Sequence, residues 1–272
     1  MTLFDKIQAT KDHILSKGIT EPQVGIVLGS GLGSLTALLT DAIEVDYSEI
    51  PNFPQSTVQG HKGKLIYGKL SGKNVLMMAG RFHYYEGYNM SEVTFPIRVM
   101  KALGVTTLIL SNAAGGMNPN FKVGDIMLIK DHINFFPEHP LRGHNDEKLG
   151  PRFPDMSEPY DKNLLKVAEE KAAASNIKVQ KGIYAGVQGP TYETPAEYDW
   201  LHRSGADAVG MSTVPEVIVA KHSGMNAFAM SVITDLGVAG LVETITHEEV
   251  LEAANKAAPN MAKLVTELVA AL

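Results

Sequence analysis

The sequence predicts an α/β fold: a single domain over residues 1–272, with a mixed, mostly parallel twisted sheet flanked by helices. Short apolar runs alternate with stretches of helical periodicity, the strand–helix alternation that builds parallel sheets. No repeat, linker or shift in composition divides the chain. A hydrophobic share of 44% with 20% charged residues, in 272 residues, suits a chain that buries a sizeable core.

Taken in order, Thr2 caps a first helix that sets Phe4, Ile7, Ile14 and Leu15 on one side and ends near Gly18. Residues 24–28 form a buried strand that breaks into alternating Gly and Ser, where Gly29, Gly31 and Gly33 let the backbone approach an anion and Ser30 and Ser34 add hydroxyls. The spacing G-S-G-L-G is neither the dinucleotide fingerprint nor a Walker loop. A helix is expected from about residue 35, and residues 51–64, rich in Pro and Gly, form a loop that holds His61. Strands at 65–67 and 75–79 flank a turn at 71–73, a hairpin that runs into GRFHYYEGY. A helix over 91–103 ends at Gly104, shortened or kinked by Pro96.

A strand at 105–110 is expected to terminate in SNAAGG, and another spans 125–130. Residues 131–160 lack periodicity but carry Phe135, Phe136 and Phe153, so the segment reads as a functional loop. A helix over 161–174 and a strand over 182–187 lead to GPTYETPAEYDWL, where Thr194, Pro195 and Glu197 make a capping box. Strands at 208–211 and 226–234 bracket a helix at 215–223. The last helix starts at Thr246, where Glu249 completes a second box, and runs to the end of the chain.

The net charge of −6 and the lack of any Lys/Arg run exclude a nucleic-acid binder working through a basic face. No apolar stretch reaches membrane-spanning length and the N-terminus lacks a signal-peptide core, so no membrane partner and a cytoplasmic location are expected. Without cysteine there is no thiolate nucleophile or Cys-based zinc site, and no spacing of His or acidic residues suits another metal.

In open α/β sheets ligands bind beyond the carboxyl ends of the strands. Six expected strand ends carry polar groups: Ser30; Arg81 with His83; Asn112; Glu193; Ser212; and Asp235. Any one alone is more often an ordinary hydrogen-bonding residue, but six equivalent positions are harder to dismiss. Ser30, Ser212, Arg81, His83 and the amides of 112–115 form a cradle for an oxyanion such as free phosphate. Glu193 and Asp235 suit the edge of a heterocycle, and Tyr85, Tyr192, Met211 and Phe153 offer flat or pliable apolar surface.

LGSGLG, GRFHYYEGY, SNAAGG, HPLRGHNDEKLGPRFPDM, GPTYETPAE and DAVGMSTVPEVIVA together resemble the trimeric purine nucleoside phosphorylases over nearly the whole chain. The resemblance implies a nucleoside phosphorylase/hydrolase-like fold and a homotrimer. It also implies phosphorolysis of purine nucleosides to free base and ribose 1-phosphate, with inorganic phosphate as co-substrate and no cofactor. It assigns phosphate to Ser30, Arg81, His83, the backbone of Ala113 and Ser212, with His61 and Asn112 close by. Ribose falls to Tyr85, Met211 and His247, with Phe153 reaching a neighbouring subunit's site. The purine falls to Tyr192, Glu193 and Asp235, with Val209 also in the substrate-binding set; His83, Glu193, Asp235 and His247 are the catalytic candidates.

Members selective for 6-oxopurines commonly carry Asn where this chain has Asp235. Either burial keeps Asp235 protonated, so that it donates as Asn does, or it accepts from a 6-amino group and shifts preference towards adenosine or methylthioadenosine. Inosine and guanosine are expected substrates, with adenosine activity open. A nucleoside hydrolase and a non-catalytic purine- or phosphate-binding protein are the alternatives from other classes.

Overall fold

The computed structural model describes residues 1–29, 33–58, 62–238, 240, 242 and 244–272. Helix α1 (Leu3–Ser16) is capped as expected: the Thr2 hydroxyl accepts from the Asp5 N–H, and the Asp5 carboxylate accepts from the Thr2 N–H. Strand β1 (Val24–Leu28) is buried at every position. The helix expected from residue 35 is instead a short 3₁₀ segment, Gly33–Leu38. It leads into β2 (Thr40–Asp46), a strand the sequence does not announce because only Val45 is buried in it, so apolar alternation is missing. β3 (Lys64–Leu70) and β4 (Lys73–Ala79) form the expected hairpin.

The single helix expected over 91–103 is two. α2 (Met90–Val93), capped by Asn89, and α3 (Phe95–Leu103) meet at Thr94, because Pro96 fits only the first turn of a helix. The next strand does not stop before SNAAGG: β5 (Thr107–Gly116) runs through it. The small side chains of 111–116 let strands close in on both sides, so Gly116 faces Leu236 on one side and Ala208 on the other. β6 (Ile126–Asn134) is followed by residues 135–161, which form no helix or strand. Then come α4 (Lys162–Ala174), β7 (Val179–Gly186), α5 (Pro195–Arg203), β8 (Ala208–Gly210), α6 (Val214–His222), β9 (Asn226–Leu236) and α7 (His247–Ala270).

Among the described residues the nine strands form one sheet in the order β2-β3-β4-β1-β5-β8-β7-β6-β9, and β9 pairs back onto β5. That return closes β5, β8, β7, β6 and β9 into a ring and leaves β1, β4, β3 and β2 as an open extension. Five pairings are parallel and four antiparallel, so the sheet is mixed. Around the sheet, α7 packs on β9, β5 and β3, α4 on α7, and α1 on α3, which in turn meets α6. The site forms where ring and extension share β5.

Candidate active site

Beyond β4 the chain turns Arg81 into the interior, where it is 1% exposed. Its Nε donates to Glu216 Oε1 at 3.1 Å, and its Nη1 donates to the Ser111 carbonyl at 2.7 Å and to Ser212 Oγ at 3.2 Å. Glu216, also buried, uses its other oxygen to accept the Thr213 N–H at 3.0 Å. One carboxylate thus fixes both a guanidinium and the backbone that precedes α6, which holds a cation in one orientation.

Between β8 and α6 the backbone is strained. Thr213 has φ 70° and ψ −53°, and the Val214 N–H donates to the Ser212 carbonyl at 2.7 Å, a γ-turn of the rare hand. Such a conformation persists in a β-branched residue only where its surroundings over-determine it. Here Glu216 holds the amide, while the Thr213 hydroxyl accepts from Asn112 Nδ2 at 2.8 Å and lies 3.1 Å from Ser212 Oγ. The turn therefore aims Ser212 at Arg81. Buried Asn112 Oδ1 has no partner among the described residues.

The glycine loop meets β5 at close quarters. The Gly29 N–H donates to Ser111 Oγ at 3.2 Å, and a Cβ at Gly29 would stand 2.5 Å from the Ser111 carbonyl oxygen, so no side chain fits. Ser30 and His61, both expected at the anion site, lie outside the described residues.

His83 is nearly buried and stacks on Tyr85, with ring centroids 4.7 Å apart and 15° between planes. Its Nδ1 lies 3.0 Å from Glu86 Oε1, which also accepts the His83 N–H. Burial lowers the His83 pKa, against the pull of Glu86. Burial also pushes the Glu86 carboxyl up, but hydrogen bonds from His83 and Thr57 outweigh it and hold the group at about 2. With Nδ1 donating to that carboxylate, the neutral ring keeps Nε2 as its acceptor.

Three residues further along β5 than Asn112, roughly 10 Å at the rise of a strand, a second polar group forms. Asp235 faces Gly115 just past a register shift between β5 and β9, an irregularity that re-aims its side chain. Its Oδ1 accepts from Thr234 Oγ1 at 2.9 Å and its Oδ2 from the Tyr198 hydroxyl at 3.2 Å. Burial raises the Asp235 pKa, and these two hydrogen bonds pull it partly back. Glu193 is pushed up to about 7, mainly by burial, with the nearby Asp235 carboxylate adding to it. His247 is the first residue of α7, positioned by the Thr246/Glu249 capping box, and its buried Nε2 has no partner among the described residues.

Both groups line one pocket of about 540 Å³. Of the phosphate candidates, Arg81, His83, Asn112, Ala113 and Ser212 line it; of the substrate candidates, Tyr85, Tyr192, Glu193, Val209, Met211, Asp235 and His247 do. Phe153 does not: it stands 88% exposed on the 135–161 segment, with the Arg152 guanidinium 5.8 Å from its ring centre. Two placements differ from the strand-end expectation, since Asn112 and Asp235 lie within β5 and β9. Because β6, β7 and β8 run against β5 and β9, the residues that follow β7 and β8 reach the pocket from antiparallel neighbours.

The sequence did not single out Glu86, Tyr198, Thr213 or Glu216. Thr213 and Glu216 carry a legible signal, the same T-x-x-E spacing read at Thr194 and Thr246. Tyr198 carries none, because its partner lies 37 residues away. Among the described residues no group of three or more His, Asp or Glu could hold a metal ion, and no helix is long and apolar enough to cross a membrane.

The phosphorylase superfamily profile matches residues 23–270. The chain is 50% identical to purine nucleoside phosphorylase 1 of Bacillus subtilis over 266 residues, 98% of each chain. Two solved structures superpose with TM-scores of 0.95 at 42% identity, each covering 100% of this chain and 99% of its own. One is a schistosoma purine nucleoside phosphorylase in complex with hypoxanthine, the other the Schistosoma mansoni enzyme in complex with adenosine.

Proposed function

The chain belongs to the phosphorylase superfamily and, within it, to the purine nucleoside phosphorylases, and from that premise we infer that it cleaves the N-glycosidic bond of purine nucleosides with inorganic phosphate, releasing the free base and ribose 1-phosphate. The observation that carries this reading is one pocket with two unlike halves: a buried cation locked beside a serine hydroxyl, and, along β5, a pair of carboxyls that resist ionisation.

Each half suits one part of the reaction. In our reading Arg81, His83, Ser212 and the Ala113 amide hold phosphate, with Asn112 supporting Ser212 through Thr213. Tyr85, Met211 and His247 hold the ribose; Tyr192, Val209, Glu193 and Asp235 hold the purine. As the glycosidic bond breaks, positive charge develops on the ribose, where the phosphate anion stabilises and then captures it, while electron density collects on the departing base. A carboxyl that keeps its proton near neutral pH donates a hydrogen bond to that base and helps it leave. No protein nucleophile is required.

Inosine and guanosine are the substrates we favour, with adenosine also accepted, because the pKa of Asp235 is raised but hydrogen bonds to it stabilise the carboxylate as well. We place the enzyme in the cytoplasm as a homotrimer without a cofactor, in which exposed Phe153 covers a neighbour's ribose site. A monomer in sedimentation that is active at full rate would overturn that assembly. The decisive assay for the reaction is base release from inosine, guanosine and adenosine with and without phosphate. Release only with phosphate is expected. Continued release without it would mean a hydrolase, and binding without turnover a non-catalytic protein.

A further inference from the structure

Beneath the 135–161 segment two basic side chains are buried against each other. Arg98, on α3, is 6% exposed, and His222, the last residue of α6, is 4% exposed. Arg98 Nη1 lies 3.3 Å from His222 Nδ1. A guanidinium only donates, so His222 accepts through Nδ1 and its ring is neutral. A buried guanidinium costs the fold unless it is hydrogen-bonded, and the Nδ1 lone pair meets part of that need. Neither side chain lines the pocket.

The segment rests on this pair at Gly150. With φ at 148°, Gly150 lies so close to His222 that a Cβ would collide with the His222 carbonyl oxygen and stand 2.8 Å from ring atoms Cε1 and Nε2. Around Gly150 the chain is bonded to itself. Asn145 Nδ2 donates to the Gly150 carbonyl at 3.1 Å, the Leu149 N–H to the Asp146 carbonyl at 2.9 Å, and Arg152 Nη1 to the carbonyls of Gly143 at 2.8 Å and Leu141 at 3.3 Å. Residues 141–152 therefore move as one unit, held to α6 at Gly150 and to α1 by the Lys148 ammonium, 4.7 Å from the centre of the Phe4 ring. Phe153 is the next residue. Standing 88% exposed, its ring takes its place from the backbone beneath it rather than from packing.

We propose that Arg98 and His222 are positioning residues for Phe153. Arg98 fixes the imidazole on which Gly150 rests, and the bonded unit 141–152 then presents the Phe153 ring to the nucleoside of a neighbouring subunit. The pair acts on nucleoside binding alone, since it touches neither the anion cradle nor the purine carboxyls.

The proposal rests on the homotrimer reading of Phe153, and its test keeps the two apart. The KM for inosine, the KM for phosphate, kcat and the amide hydrogen exchange of residues 141–152 are measured at neutral pH in the parent and in variants. His222→Leu offers Arg98 no acceptor: the inosine KM and the exchange of 141–152 are each expected to rise about tenfold, with kcat and the phosphate KM within about twofold of the parent. His222→Asn sets Oδ1 where Nδ1 stands and is expected to restore both. In Phe153→Ala the inosine KM rises, and adding His222→Leu to it raises that KM no further. If His222→Leu fails to fold, Gly150→Ala, which leaves Arg98 and His222 intact and unseats the segment from them, carries the same expectation. Phe153→Ala with the parent's inosine KM overturns the reading of Phe153, whatever the exchange shows. Where Phe153→Ala does raise it, four results overturn the positioning role: unchanged exchange in His222→Leu and Gly150→Ala, an unmoved inosine KM, an equal rise in the phosphate KM, or no rescue by His222→Asn.

Discussion

Glu193 is a residue whose ionisation the fold resists. Its carboxyl titrates near 7 in the folded chain, mainly through burial, against an ordinary value of 4.5. The native state therefore binds a proton that the unfolded chain has released, and stability falls as pH rises from 4.5 through 7. At roughly 1.4 kcal/mol per pH unit between the two values, the cost above neutrality is about 3 kcal/mol. Glu193→Gln cannot ionise and is expected to exceed the parent in stability by about that much at pH 8, with the advantage vanishing near pH 4.5 and nucleoside turnover reduced. Urea unfolding at the two pH values reads the difference; equal stability at pH 8 would show that the carboxylate is well solvated. His83 acts in the opposite sense: its lowered pKa stabilises the fold above the ordinary 6.5 and withdraws that contribution as pH falls below it.

The elements that could be read from the sequence are those whose instructions are local. Thr2, Thr194 with Glu197 and Thr246 with Glu249 announce three helix starts, and each caps its helix as expected, with Asp5 completing the first box. β2 carries no such instruction because only Val45 of its side chains is buried, and SNAAGG reads as the end of a strand because strand pairing on both sides, not propensity, keeps it extended. The turn at Ser212–Val214 lies between these cases. Its capping partner Glu216 is visible in the sequence, but its strain is not, since the Asn112 bond that sustains it spans 101 residues. Thr213→Val keeps the β-branched shape but removes the acceptor for buried Asn112 Nδ2. The expected loss is about 1–3 kcal/mol of stability, together with a raised KM for phosphate and a smaller change in that for nucleoside. Thermal unfolding and initial rates measure both, and an unaltered phosphate KM would detach the turn from the anion site.

At the scale of the molecule, the site is assembled by long-range pairing. Arg81 meets Glu216 across 135 residues, and the ring that brings β8 and β9 to β5 leaves no periodicity in the chain. The types of most pocket residues were therefore legible, but not which of them touch. Because the pocket draws on both the ring and its extension, a ligand there ties the two together. Phosphate at one hundred times its Kd is expected to stabilise the fold by about 2.7 kcal/mol, read as a rise in Tm that Arg81→Ala abolishes. A rise retained by that variant would place the anion elsewhere.

The closure of β9 onto β5 also bears on self-association. A strand edge with unpaired N–H and C=O groups is a template for another chain, and closing strands into a ring leaves fewer of them. Among the described residues this leaves β2 as the sheet's terminal strand, and it is guarded: Asp41, Glu44 and Asp46 stand along it, exposed, with Lys64 of β3 2.9 Å from Glu44. At that margin of the sheet, among the described residues, the chain meets the hazard of edge-to-edge aggregation with like charge.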